Sequence, residues 1–293
     1  MARLVFVHAH PDDETLATGV AIAHYAAGGH DVHVVTATLG EHGEIIPPEL
    51  AHLGADRDDT LGEYRRGELA AALRALGATG HHLGGPGRYR DSGMAGMPSA
   101  SDPRAFASAD VAEAAGLLGT LLRDVGADVV VSYDRGGGYG HPDHIQTRRV
   151  LEAALAGLPS RSGVAAYEVV VPRSWAAQDR EWLAGHVPDE SDLHVPAPDE
   201  PYAVGVVDDA LVTHVVLDEA AGRRQVRALQ AHRTQVRVVD GYYALSNAVA
   251  ARLATREAFV RLDPATGERV PPGEGGWASD LLAPRTDRPG PRP

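Results

Sequence analysis

Short apolar runs of strand length alternate with amphipathic segments of helix length along most of this sequence. The first two apolar runs cover residues 4–7 and 31–38, and residues 14–27 between them carry apolar side chains at helical spacing. Further helices are predicted over residues 60–76, 111–125 and 142–155, further strands over residues 128–133 and 165–171, and a strand followed by a helix over residues 213–232. This alternation predicts an α/β fold, here a Rossmann-like, doubly wound and mostly parallel sheet.

The composition excludes several classes of partner and cofactor. The formal net charge of −13 argues against nucleic acid or an anionic membrane as a partner. The sequence contains no Lys and no Cys, which excludes Schiff-base chemistry on Lys, Fe–S clusters and Cys-ligated zinc. Any metal must therefore be held by His and carboxylate side chains. No signal peptide and no apolar stretch of membrane-spanning length is evident, so a cytoplasmic location is expected.

Two similar polar segments follow predicted strands. The first strand leads into AHPDDE at residues 9–14, and the strand at residues 128–133 leads through a Gly-rich turn into GHPDH at residues 140–144. Helix capping accounts for a Pro and one Asp in such a segment, but it requires neither the His nor two consecutive Asp. Because parallel strands end at the same edge of a sheet, we predict a catalytic type of divalent metal site with open coordination positions. The predicted ligands are His10, Asp13 and His144.

The pairing of AHPDDE with GHPDH resembles the LmbE-like, PIG-L-type N-acetylglucosaminyl deacetylases. Members of that family have a Rossmann-like fold and a divalent metal, and the resemblance implies both here. The segments TLGEHGE, YRRGELAAALRALG and LGGPGRYRDSGMAG are similar to the branch of the family that acts in mycothiol biosynthesis. The resemblance therefore implies a metal-dependent hydrolase of a linear amide C–N bond. Its substrate would be a small glycoside, N-acetylglucosaminyl-inositol, which is converted to the free amine and acetate.

The resemblance also implies roles for individual residues. Asp12 is then the general base, His141 and Tyr139 flank the scissile amide, and Asp143 orients a histidine. Tyr139 or protonated His141 would stabilise the oxyanion, and either Asp12 or His141 would return a proton to the leaving amine. The family positions expected near the sugar and inositol hydroxyls are Glu44, Arg65, Arg90 and Asp91.

The sequence alone leaves alternatives for the metal and for the function. One divalent metal per chain is expected, with Zn²⁺ favoured and Fe²⁺ as the alternative. A mycothiol S-conjugate amidase, which cleaves a larger amide, is the nearest alternative function, although GGPGRYRDSGMAG matches the deacetylases better. A general N-acetyl sugar deacetylase is another. A carbohydrate-binding protein without activity would be expected to lack Asp12 or a metal ligand, and a nucleotide-dependent dehydrogenase needs a Gly-rich fingerprint that does not follow the first strand.

We predict one domain with a C-terminal extension. Residues 1–170 are expected to form the Rossmann-like catalytic core with the metal site, and residues 171–283 to complete that domain and cover the substrate site. Residues 83–103 and 187–202 are rich in Gly, Pro and polar side chains and are predicted to be long loops. Residues 284–293 read as a disordered tail.

Overall fold

The computed structural model describes residues 1–159, 163–202 and 205–282. The helices in these ranges are α1 (Asp13–Ala27), α2 (Leu61–Leu76), α3 (Val111–Val125), α4 (Gly137–Gly140), α5 (Pro142–Ala156), α6 (Arg173–His186) and α7 (Glu219–Ala231). The strands are β1 (Arg3–His8), β2 (Asp31–Thr36), β3 (Thr79–His82), β4 (Val129–Ser132), β5 (Ala165–Pro172), β6 (Val206–Val207), β7 (His214–Leu217), β8 (Arg237–Val239), β9 (Tyr242–Ala244), β10 (Ala250–Arg252) and β11 (Arg256–Leu262). None of these helices has the length and apolarity needed to cross a membrane.

The main sheet has the strand order β3-β2-β1-β4-β5-β11-β7, and β6 pairs with β5 beside this path. Its strands are parallel from β3 to β5, whereas β11 pairs antiparallel with β5 on one side and with β7 on the other. A small antiparallel sheet contains β8, β9 and β10. The prediction of a doubly wound, mostly parallel sheet is confirmed.

Helices cover both faces of the main sheet, and the alternation of side chains along β1 shows why. Leu4 and Phe6 join the core beneath α1, α2 and α7, whereas Val5 and Val7 join the core beneath α3 and α5. Burial on both faces explains why the central strands β1 and β4 are largely apolar. The strand order reverses between β1 and β4, so their carboxyl ends lie side by side at the place where open α/β sheets bind ligands.

The predicted elements up to β5 are confirmed with boundaries shifted by a few residues, and the two long loops contain no α-helix among their described residues. The sequence analysis predicts neither α6 nor β11. Strand β11 lies inside the main sheet, so residues beyond 170 supply part of the sheet itself as well as the surface around it. The predicted tail at residues 284–293 lies outside the described residues.

Helix α1 is interrupted at Thr18, whose backbone angles (φ −138°, ψ 15°) are not helical. Side chains from the C-terminal part of the chain satisfy the backbone groups released by this break. The Glu257 carboxylate on β11 accepts hydrogen bonds from the N–H groups of Val20 at 2.8 Å and Ala21 at 2.9 Å. The Gln225 side chain donates to the Thr15 carbonyl at 2.9 Å. The break is therefore stabilised by long-range contacts.

We expect Glu257 to make stability depend on pH. Burial raises the pKa of Glu257 to about 8, although its two backbone hydrogen bonds act in the opposite direction. Between the ordinary glutamate pKa of about 4.3 and this value, the folded protein keeps a proton that the unfolded chain has released. The contribution of Glu257 to the free energy of unfolding is therefore complete below that window and is lost as the pH rises through it.

Chemical denaturation of the parent and Glu257→Gln at several pH values from 5 to 8.5 measures this contribution. Gln does not ionise, so the stability advantage of the parent over the variant should shrink as the pH rises. The exposed Glu190, changed to Gln, is the matched control and should follow the parent. An advantage that stays constant across the range would contradict the raised pKa.

Candidate active site

Three donor atoms converge at the adjoining ends of β1 and β4. His10 Nδ1 lies 3.3 Å from Asp13 Oδ2, His144 Nε2 lies 3.3 Å from the same oxygen, and the two nitrogens are 3.2 Å apart. Ligand atoms in a tetrahedral zinc site, each about 2.0–2.1 Å from the ion, are about 3.3 Å from one another. The structure thus brings the three predicted ligands together at the spacing of a metal site.

The outer nitrogens of both imidazoles show which nitrogens face the centre of this cluster. His144 Nδ1 lies 3.1 Å from the Gly137 carbonyl oxygen, which only accepts, so Nδ1 carries the proton. His10 Nε2 lies 3.2 Å from Asp143 Oδ2, so its proton faces that carboxylate. With the outer protons placed in this way, His10 Nδ1 and His144 Nε2 can each serve as a ligand atom beside the Asp13 carboxylate. A divalent cation satisfies this arrangement, and the residues present fit such an ion.

Tyr133 directly follows β4 and supports two of these side chains. Its ring stacks on the His144 imidazole, with centroids 4.2 Å apart and an interplanar angle of 10°. Its hydroxyl accepts a hydrogen bond from the Ala9 N–H at 2.9 Å. Burial and the nearby Asp13 carboxylate, with which the hydroxyl hydrogen bonds, raise the pKa of Tyr133, so the phenol stays protonated. The sequence analysis assigns Tyr133 only to a strand, and an aromatic residue just before the Gly-rich turn is the one signal it offers.

Asp12 stands at the N-cap position of α1, yet its carboxylate accepts no capping hydrogen bond from the described residues. Its backbone (φ 111°, ψ −34°) lies in a region that L residues rarely adopt and that costs about 1–3 kcal/mol. Asp12 Oδ2 lies 3.1 Å from the Arg65 guanidinium. Burial raises the pKa of Asp12 to about 6, and Arg65 opposes this shift. Simple helix capping therefore does not explain Asp12, whose carboxylate is paired with Arg65 and not with the helix.

His141 lies next to the cluster at the start of α5. Its Nδ1 accepts a hydrogen bond from the Asp143 N–H at 3.1 Å, which fixes the proton of the neutral imidazole on Nε2. Burial, together with the neighbouring His10 and His144, lowers the pKa of His141 to about 4. His141 is therefore neutral near pH 7 and offers an N–H donor.

Tyr139 lies at the mouth of the site. Its ring centroid is 5.0 Å from that of His144 and 6.0 Å from that of His141, and the residue is 55% exposed. The Gly-rich turn that carries it is held by Asp134, whose carboxylate accepts hydrogen bonds from the N–H groups of Gly136 and Gly138.

The PIG-L family, with the description GlcNAc-PI de-N-acetylase, matches residues 5–155, which include both His-Pro-Asp segments. This protein belongs to the PIG-L family. A relative from Thermobispora bispora, named 1D-myo-inositol 2-acetamido-2-deoxy-alpha-D-glucopyranoside deacetylase, is 48% identical and covers 96% of this chain and 95% of its own length. A relative of the same name from Thermobifida fusca is 45% identical and covers 96% of this chain and 99% of its own length.

Solved structures with lower sequence identity share the PIG-L fold seen here. A deacetylase–teicoplanin complex has a TM-score of 0.53 and 20% identity, covering 89% of this chain and 99% of its own. The zinc-inhibited form of a teicoplanin deacetylase has a TM-score of 0.53 and 19% identity with the same coverage. At this level of identity the similarity concerns the fold alone.

The four predicted substrate contacts of this PIG-L protein lie in different environments. Asp91 is buried beside the site, with Oδ1 3.5 Å from His10 Nε2. Glu44 is exposed, and Arg90 is paired with Asp59. Arg65 is only 3% exposed, and both terminal nitrogens of its guanidinium contact protein acceptors.

Those acceptors explain where Arg65 points. Besides the Asp12 carboxylate, its guanidinium donates to the carbonyl oxygens of Gly40, at 2.7 Å, and Pro11. The geometry therefore favours Arg65 as a residue that positions the Asp12 carboxylate. It supports the predicted contact of Arg65 with sugar or inositol less directly.

A cavity of about 510 Å³ opens beside Asp13 and His144 and extends between α6 and strands β10 and β11. Its lining is mostly apolar and includes Leu16, Leu183 and Tyr243. The sequence analysis does not predict this cavity, because most of its lining residues come from elements in the C-terminal part of the chain. It offers far more room than the single methyl of an acetyl group needs.

Proposed function

We propose that this chain hydrolyses the acetamide of N-acetylglucosaminyl-inositol to the free amine and acetate, a step of mycothiol biosynthesis. The observation that carries the proposal is the triangle of His10, Asp13 and His144 donors beside a buried Asp12 that does not cap its helix. Similarity to deacetylases of that name over nearly the whole chain supports the substrate. The absence of Cys is consistent with the proposed cytoplasmic location.

His10, Asp13 and His144 would hold one divalent ion; two imidazoles and one carboxylate accept both Zn²⁺, which we favour, and Fe²⁺. When bound, such an ion polarises the acetyl carbonyl and makes water a stronger nucleophile near neutral pH. Asp143 keeps the proton of His10 on Nε2, and the Gly137 carbonyl keeps that of His144 on Nδ1. These contacts fix both imidazoles before substrate arrives.

Asp12 takes the proton as the oxygen of water forms its bond to the acetyl carbon. The electron pair of the carbonyl moves to its oxygen, where the Nε2–H of neutral His141 donates a hydrogen bond. When the C–N bond breaks, the proton on Asp12 passes to the departing amine. We assign this return to Asp12 because His141, with its lowered pKa, carries no extra proton near pH 7.

Substrate recognition is proposed for the loops around the mouth of the site. Asp91 and Glu44 can accept hydrogen bonds from sugar and inositol hydroxyls, and Arg90 can donate them. Tyr139, at the mouth, is placed to cover the acetamide or to donate to its oxygen. Arg65 would act on the substrate through Asp12.

The apolar cavity favours one alternative function, the hydrolysis of a larger amide such as that of a mycothiol S-conjugate. A cavity of about 510 Å³ beside Asp13 and His144 has room for an acyl group much longer than acetyl. Both functions use the same donors and the same base, so only the substrate distinguishes them.

Amine release from three substrates at equal metal content separates these functions. We expect the highest kcat/KM on N-acetylglucosaminyl-inositol and at least a tenfold lower value on plain N-acetylglucosamine, since each lost polar contact costs about 1–3 kcal/mol. Higher kcat/KM on a mycothiol S-conjugate would favour the amidase. Equal values on the two acetylated sugars would leave a general deacetylase, and no release from any substrate by metal-loaded protein would reject the proposal.

A further inference from the structure

The unusual backbone of Asp12 requires contacts that hold it. In this conformation the Asp12 N–H points to the Glu14 carboxylate, where Oε2 accepts it at 2.9 Å. The Asp12 carbonyl accepts the first helical hydrogen bonds, from the N–H groups of Thr15 at 3.0 Å and Leu16 at 2.9 Å. The peptide groups on both sides of the Asp12 Cα are therefore fixed.

Glu14 is itself anchored from a distant part of the chain. It is completely buried, and its Oε1 lies 2.8 Å from His232 Nε2 and also accepts from the Thr15 hydroxyl. His232 directly follows α7 and is completely buried as well. Its Nδ1 has no partner in the part of the chain that the structure describes. Among the described residues, the hydrogen bond of the His232 side chain therefore goes to Glu14.

We propose that Glu14 and His232 form a positioning pair that holds the Asp12 backbone in its left-handed conformation and so directs the Asp12 carboxylate away from the end of α1 into the active site. With an ordinary negative φ, an Asp at this position would fold its side chain over the first turn and accept hydrogen bonds from helical N–H groups. Such capping would withdraw the carboxylate from the substrate. The proposal rests on the proposed function, in which Asp12 is the general base.

Two variants of Glu14 separate the hydrogen bond from the size of the side chain. Gln keeps an oxygen that can accept the Asp12 N–H, and His232 can present a bare Nε2 to the Gln amide without losing a hydrogen bond. Met has a similar length and no such acceptor. We expect Glu14→Met to lose at least tenfold in kcat with little change in KM, and Glu14→Gln to lose far less.

A double-mutant cycle with Asp12→Asn distinguishes positioning from general stability. If Glu14 acts through Asp12, Glu14→Met should lower kcat little or not at all when Asp12 is already replaced by Asn. An equal loss in both backgrounds would overturn the proposal. If Glu14→Met does not fold, His232→Leu and His232→Gln form the second pair, because Gln keeps a donor for Glu14 and Leu does not.

Hydrogen exchange of the Asp12 amide tests the pair without turnover. The Asp12 N–H should exchange much faster in Glu14→Met than in the parent and Glu14→Gln, and an unchanged rate would overturn the proposal. If the parent hydrolyses no substrate, the proposed function fails, whereas this measurement still decides whether the pair holds the Asp12 backbone.

Discussion

Asp12→Asn is expected to keep the metal and to lose about 10²- to 10⁴-fold in turnover, because removing a general base has effects of this size. Asn has the shape of Asp, but its side-chain amide does not accept a proton near neutral pH. The predicted metal ligands are unchanged, so elemental analysis should find the same metal content in variant and parent. Steady-state kinetics on N-acetylglucosaminyl-inositol measures the loss.

Asp110 provides a matched control for this substitution. It is a true N-cap, since its carboxylate accepts hydrogen bonds from the N–H groups of Ala112 and Glu113 at the start of α3. Asn caps helices about as well as Asp, so Asp110→Asn should change neither turnover nor stability appreciably. A metal-replete Asp12→Asn that is nearly as fast as the parent would remove Asp12 from the chemistry.

His144→Ala is expected to weaken metal binding by orders of magnitude, since it removes one of the three predicted ligands and leaves only His10 and Asp13. Metal content after dialysis and competition with a chelator measure the change. His81→Ala is the control: His81 Nε2 also lies close to another imidazole, 2.9 Å from His33 Nδ1, but on the edge strand β3, two places from β1 in the sheet. Undiminished stoichiometry in His144→Ala would exclude His144 as a ligand.

The meeting of the two His-Pro-Asp segments could be predicted from the sequence for a simple reason. Each segment follows an apolar strand, and parallel strands end at a common edge of the sheet. The order of elements therefore predicts that the two segments lie close together. The sequence therefore predicts that the site contains Asp12, Asp13 and His144. The precise backbone of Asp12 was not, because Asp at a helix start normally signals a cap.

The contacts that the sequence did not reveal are long-range ones. Glu14 reads as an ordinary acidic residue of a first helical turn, and nothing near it in the sequence indicates a contact with His232, 218 positions away. The same holds for Arg65, which the family resemblance places near the sugar and inositol hydroxyls, whereas its guanidinium donates to the Gly40 carbonyl. Strand β11 was missed because its antiparallel register is set by β5 and β7 and by no local signal.

The position of β11 has a consequence for how the chain is made. Strands β5 and β7 have no contact as neighbours in the sheet until residues 256–262 fill the place between them. In a nascent chain whose strands β1 to β5 have already paired, residues 166–170 of β5 lack their β11 partners for the synthesis of about eighty further residues, and such an edge invites pairing with other chains. Closure must wait for long-range contacts, which form slowly. A chaperone that shields this edge would have its greatest effect during that interval.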